Sequence, residues 1–191
     1  MTEHSHPHAH SHPHPHASQE MDWHNPLFDI PAVDRTRRNH GLEHATITIL
    51  SQHVRGVSLV GRSTPNGFHL YGNVSTEQLS DAAHEALRRM KAGEVGLAVH
   101  PNCGTNFVTA GIAAGLAAYI GFMGANSGSA RRERLPLVAA LATGALILAQ
   151  PLGLEVQRRI TTSGDMRDMQ IARIDQRQRG NVTTHFVTTV G

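Results

Sequence analysis

The chain has one cysteine, few aromatic residues and little charge, and each shortage excludes something. A single thiol, Cys103, leaves no partner for an intramolecular disulfide. Aromatic residues make up 4% of the chain and formally charged ones 17%. The short basic clusters at Arg35, Arg37, Arg38 and at Arg88, Arg89, Lys91 have no aromatic residues between them. With a formal net charge of +2, this pattern argues against a nucleic-acid partner. The N-terminus lacks the basic start and apolar stretch of a secretion signal. A chain of 191 residues buries one core of ordinary size, so one domain with appendages is expected.

Histidine is what the chain has in excess. Of fifteen, seven lie at alternate positions from His4 to His16, among prolines at 7, 13 and 15. Residues 1–25 therefore read as a disordered tail with almost nothing to pack. A flexible chain of this kind can bring several imidazoles to one divalent ion. The interruptions by Pro, Ser and Ala favour a native metal-scavenging or metal-delivery tail over a purification tag, which is usually an unbroken run.

Two long stretches carry no charge at all. Pro101 to Ala130 is the first, nearly all Ala, Gly, Ile, Leu, Val and aromatic over 107–124, and Leu135 to Leu154 is the second. Each approaches the ~20 residues needed to cross a bilayer core. The polar connection 126–134 makes them a transmembrane helical hairpin. Small residues recur at three- and four-residue spacing (Gly111, Gly115, Ala118; Ala140, Gly144). They predict close helix approach and a route to homo-oligomers. Arg131, Arg132 and Arg134 pull the connection toward the cytoplasm, while Arg158 and Arg159 flank the far end. An N-terminal portion without a signal peptide would also have to cross. The expectation is a multi-pass protein of the cytoplasmic (inner) membrane with both chain ends and the soluble part in the cytoplasm, and membrane lipid as a partner.

Around the hairpin the pattern is mixed. Asn39 is expected to cap a helix from His40 through Gln52. Val57–Val60 and Phe68–Tyr71 read as strands about the turn Thr64-Pro65-Asn66-Gly67. Ser75-Thr76-Glu77-Gln78 caps a second helix with Leu79, Ala82, Ala83, Ala86, Leu87 and Met90 on one face, ending at Gly93. Val95–Val99 reads as a strand delivering His100 to the membrane surface. Residues 169–174 and 182–187 alternate about Gly180-Asn181 as a β-hairpin. The fold class is therefore α+β: a soluble unit made of 26–106 and 155–191, interrupted by a membrane hairpin at 107–154. The last strands complete the sheet begun before the hairpin.

The chemistry concentrates in two segments. His40-Gly41-Leu42-Glu43-His44 is an H-x-x-E-H pattern, the inverted form of the zincin signature. On a helix, residues four apart share a face, so His40 and His44 suit two ligand positions on a metal. Glu43 falls close enough to take a proton from water, although it could equally be a ligand or hold an imidazole in place. His100-Pro101-Asn102-Cys103 adds a third imidazole and the thiol, just before the first apolar run. A thiolate at a helix N-terminus is a strong zinc ligand; Thr105 is the expected cap there. The metal set expected is His40, His44, His100 and Cys103, with Glu94 in reserve and Glu43 as catalytic base. His69, His84 and His185 are read as surface or structural.

His-Gly-Leu-Glu-His-Ala-Thr-Ile at 40–47, followed by His-Pro-Asn-Cys-Gly-Thr-Asn-Phe at 100–107 leading into an apolar helix, resembles the uncharacterised bacterial membrane family of the YqhQ type. The resemblance covers about a third of the chain and departs at the His-rich tail and in the number of spans. It implies a metal-dependent enzyme and brings no substrate. The leading expectation is a membrane-anchored zinc hydrolase in which the metal acidifies water and Glu43 accepts its proton. The alternatives are a non-catalytic metal-binding or metal-trafficking protein and a membrane scaffold with a structural metal site. Ligand number separates them: four protein ligands close a zinc, whereas three leave a position for chemistry.

Overall fold

The computed structural model describes residues 25–191 apart from Arg55, Gly180 and Asn181. The His-rich segment up to His24 and the expected Gly180-Asn181 turn lie outside the described residues. Helix α1 spans Pro31–His53, entered through a 3-10 turn at Pro26–Asp29 that the Asn25 side chain caps. Proline suits the first helical turn, where its missing N–H has no partner to lose. The helix therefore begins nine residues before the expected start at His40. Asn39 is not its cap. Fully buried in mid-helix, Asn39 donates from Nδ2 to the Thr64 carbonyl (2.9 Å) and accepts from the Thr189 hydroxyl (2.7 Å). It crosslinks α1 to two strands, and nothing local in the sequence distinguishes that role from capping.

Strands β1 (Val60–Thr64) and β2 (Gly67–Tyr71) form a hairpin around Pro65-Asn66. The turn lies where expected. The first strand starts at Val60, where it was expected to end, because pairing runs back from the turn and reaches only to Tyr71. Helix α2 (Thr76–Lys91) follows the sequence closely: Ser75 and Gln78 make a reciprocal capping box, and all six expected apolar residues are buried. Val95–Ala98 is not a strand but a 3-10 turn. It is not part of the four-stranded sheet, and of its four residues only Ala98 is buried.

Strands β3 (Gln170–Arg179) and β4 (Val182–Val190) close a four-stranded antiparallel sheet in the order β1-β2-β4-β3. The terminal hairpin thus joins the sheet begun before the apolar segment, as expected. Leu42, Ile49 and Leu50 of α1, Leu79, Ala86 and Met90 of α2, and Phe68, Leu70 and Val187 of the sheet form the core with Met166 and Met169. Full burial of the Leu, Ile, Val, Phe and Met side chains among them stabilises by about 1.5–3 kcal/mol each.

Between these parts lie α3 (Gly104–Phe122) and α5 (Leu135–Val156), joined through the short α4 (Gly128–Glu133) within the polar connection. Both α3 and the helical run containing α5 are long and apolar enough to cross a membrane. They pack on each other and leave large side chains such as Phe107 (70% exposed) and Leu148 (77%) uncovered. Their close approach uses Gly121, whose added Cβ would meet Val138 at 2.8 Å, and Gly153, facing Asn106 at 2.7 Å. Gly111, Gly115 and Gly144 were expected there; they face open space instead. Composition identified small residues but not which side of each helix meets the other.

Helix α5 runs into a π-helical turn, Gln157–Thr161, lying against α1. The contact is close at Gly41, where a Cβ would collide with the Ser163 carbonyl oxygen and stand 3.1 Å from the Ala98 Cβ. Gly41→Ala is expected to destabilise the protein by about 1–3 kcal/mol through overpacking. A lowered denaturation midpoint in detergent solution, with little loss of helical circular dichroism, would verify this.

Candidate functional site

Helix periodicity puts His40 and His44 side by side, with ring centroids 4.4 Å apart in an edge-on arrangement. Each ring is held from behind. His40 Nδ1 bonds the Thr161 carbonyl at 2.9 Å and His44 Nδ1 bonds the Ala98 carbonyl at 2.8 Å. A carbonyl only accepts, so both Nδ1 atoms carry the proton and both Nε2 lone pairs are left free. Those atoms face Cys103, whose Sγ lies 3.4 Å from His40 Nε2. The ligand atoms of His40, His44 and Cys103 all fall within 4.8 Å of one another. Backbone carbonyls fixing the tautomer from behind are the usual outer support of a metal-binding imidazole.

Cys103, not the expected Thr105, caps α3: its sulfur accepts the Thr105 N–H at 3.4 Å. Burial pushes the thiol up, but the His44 imidazole and the Thr105 hydroxyl and N–H outweigh it, leaving the pKa below the ordinary cysteine value. His100 stands one step out, its ring centroid 5.8 Å from that of His44. Its Nδ1 accepts the Asn102 N–H (3.2 Å), which places the neutral ring's proton on Nε2. Burial, and then His44, hold its pKa below the usual histidine range. The structure thus brings three of the four expected ligands into one cluster and sets the fourth beside them.

Glu43 is buried on the side of α1 that meets β1. Its Oε2 accepts from the Ser63 hydroxyl, and its carboxyl lies so close to Gly61 that a Cβ there would collide with it. Burial raises the Glu43 pKa above the usual carboxylate range, opposed in part by Ser63 and His40. His40, Glu43, His44, His100 and Cys103 all line one cleft of about 710 Å³, with the consecutive residues 57–63 forming a wall. That volume is ordinary for a small-ligand site. Glu94 is not among its residues; its carboxylate pairs with Arg89 on the surface. His84 is exposed, the His69 ring lies tilted against Phe186, and His185 is buried against Thr76, all outside the cleft.

Several supports were not visible in the sequence. Arg37 donates to the Arg159, Ile160 and Thr162 carbonyls, tying the π-helical turn to α1 and thereby presenting the Thr161 carbonyl to His40. A π-turn commonly marks a functional position because it re-aims backbone groups. Gln157, fully buried, accepts the His100 N–H at 2.9 Å and donates to Asn106 at 2.6 Å. A glutamine beside two arginines at the end of an apolar run looks like an ordinary helix end. Only Asn106 carried a signal, through its place in the second motif.

The model of a family described as "Domain of unknown function (DUF6391)" matches residues 35–174. An uncharacterized protein of Picosynechococcus sp. is 33% identical over 134 residues, a match covering 61% of this chain and 65% of that protein. The chain therefore spans just under two thirds of the length of this curated relative. No solved structure matches. The family match runs from within α1 into β3 and takes in every residue of the His/Cys/Glu cluster, and the chain belongs to the DUF6391 family.

Proposed function

We propose that the protein is a membrane-anchored, zinc-dependent hydrolase. The observation that carries this reading is the convergence of two tautomer-fixed imidazoles and one thiol within 4.8 Å. Two Nε2 lone pairs and a sulfur are a fitting donor set for zinc, and three protein ligands leave the open position typical of catalytic sites. His40, His44 and Cys103 would hold such an ion, which would supply Lewis acidity. The remaining work belongs to side chains. Glu43, oriented by the Ser63 hydroxyl, would accept a proton from the attacking water. His100, protonated on Nε2, donates to the carbonyl oxygen as negative charge develops on it.

The membrane part of the reading rests on the length, apolarity and exposure of the two long helices. As a spanning hairpin they would seat the cluster at the bilayer surface, since Cys103 caps one helix and Thr161 ends the other run. We place the sheet and site on the cytoplasmic side of the cytoplasmic membrane. A metal-handling role is the second reading, favoured by the alternating histidines from His4 to His16.

Three measurements test these points. Cobalt added to the metal-free full chain is expected to give a thiolate-to-cobalt charge-transfer band. Cys103 is the only thiol, so the band reports this site and is blind to the tail. Loss of the band in Cys103→Ser, and at least a ~10-fold weaker affinity in His44→Ala, are expected; no band in the wild type sinks the metal centre. Glu43→Gln should keep the band while losing hydrolysis by about 100-fold or more. A variant that loses metal would mark Glu43 as a ligand, and one with unchanged activity would favour metal handling. Finally, the chain should remain in the membrane pellet through carbonate extraction; recovery as a soluble protein without detergent overturns the spanning hairpin.

A further inference from the structure

Strand β1 is an edge of the sheet, and its unpaired side belongs to the same cleft as the His/Cys cluster. Which backbone groups it offers follows from the pairing. The Thr189 N–H bonds the Asn66 carbonyl, and the Gly72 N–H bonds the Thr183 carbonyl, so β2 turns its even-numbered residues toward β4. In an antiparallel ladder the odd-numbered residues Gly67, His69 and Tyr71 then face β1, where they pair with Thr64, Arg62 and Val60. Gly61 and Ser63 are left with N–H and C=O directed away from the sheet. Among the described residues no other strand or loop bonds them.

The cleft wall agrees with this. Every residue from 57 to 63 lines it. A sheet face would contribute alternate residues, whereas an edge presents the backbone continuously. The same two residues also meet Glu43: the Ser63 hydroxyl donates to its carboxyl, and Gly61, lacking a Cβ, lets that carboxyl lie against the strand. The free backbone groups and the carboxyl are thus fixed relative to each other by two residues of one strand.

We propose that the free edge of β1 binds an extended polypeptide segment as an added strand, which makes the substrate of the site a peptide bond in unfolded or locally unfolded chain. This rests on the hydrolase reading and narrows it. An added strand would exchange hydrogen bonds with Gly61 and Ser63 two residues apart, placing its backbone alongside Glu43 and the His40, His44 and Cys103 cluster. Main-chain pairing gives affinity with little demand on side chains, so selectivity should be for extended conformation more than for sequence. A compact small-molecule ester or amide would leave the edge unused.

The test uses the full-length chain in detergent, as metal-free wild type and as Glu43→Gln, so that peptide is bound without being cut. A pool of random-sequence decapeptides is the first probe. Saturating peptide is expected to slow amide exchange of Gly61 and Ser63 by about tenfold or more. Arg62 and Thr64, already bonded to β2, should be unaffected. In one binding decapeptide, N-methylation at alternate residues should each weaken binding about tenfold, the loss of roughly one hydrogen bond, while methylation between them changes little. No binding from the pool, or protection without the two-residue alternation, overturns the added strand. Zinc-loaded wild type separates this from the parent reading. Cleavage of a single-residue acyl amide as fast as of a decapeptide overturns the peptide assignment and leaves the hydrolase standing. Alternating protection with no cleavage of any amide or ester keeps the edge and removes the hydrolase.

Discussion

The docking of the segment after α5 onto the polar side of α1 is the contact on which the rest depends. Four residues within one short stretch of α1, positions 37–41, make it. Arg37 donates to three carbonyls and accepts the Ser163 N–H with its own (3.0 Å), Asn39 reaches two strands, His40 takes the Thr161 carbonyl, and Gly41 admits the backbone of Ser163. Hydrogen bonds from a charged donor contribute about 1.5–3 kcal/mol each in net terms, more than neutral ones. Their larger effect is geometric, because they set where the two apolar helices leave the α+β body. Cys103 caps one of those helices and Thr161 ends the other, so both reach the His40 ring through this docking.

Polarity is distributed in a consistent way around that contact. The apolar core lies between α1, α2 and the inner face of the sheet, and contains no member of the cluster. The His, Cys and Glu side chains of the cleft sit at its margin, each held by a partner on one side. His40 and His44 have spent Nδ1 on carbonyls and kept Nε2; Glu43 has one oxygen held by Ser63; His100 is anchored through its backbone by Gln157. A buried polar group left without a partner costs about 1–3 kcal/mol, so this half-satisfied arrangement requires the supports to be in place. It also holds the rings in one orientation, which a metal or substrate would otherwise have to impose.

The position of β1 adds a second constraint. An exposed edge strand is an invitation to unwanted pairing, and proteins usually cover or blunt it. Here the edge forms the wall of a cleft, and the flanking α1 limits what can approach. Gly61 and Ser63 serve the strand and the Glu43 carboxyl at once. Replacement of either would therefore change pairing and electrostatics together.

What the sequence by itself determined is local or periodic. Four-residue spacing put His40 and His44 on one face, a Ser-x-x-Gln box started α2, six apolar residues at helical spacing turned inward, and two uncharged runs became long apolar helices. Each follows from the geometry of one helical turn or the length of one element, information carried by a few neighbouring residues. Tertiary structure decided the rest. It moved the start of α1 back to Pro31, made a turn of Val95–Ala98 outside the four-stranded sheet, and chose Gly121 and Gly153 over Gly111 and Gly115 as the points of helix contact. It also settled which imidazoles face the thiol, since that depends on the Ala98 and Thr161 carbonyls, 54 and 121 residues away from the histidines they hold. Hydrogen bonds to backbone groups carry no residue-type signature, because every residue offers a carbonyl and only the fold selects which one is used.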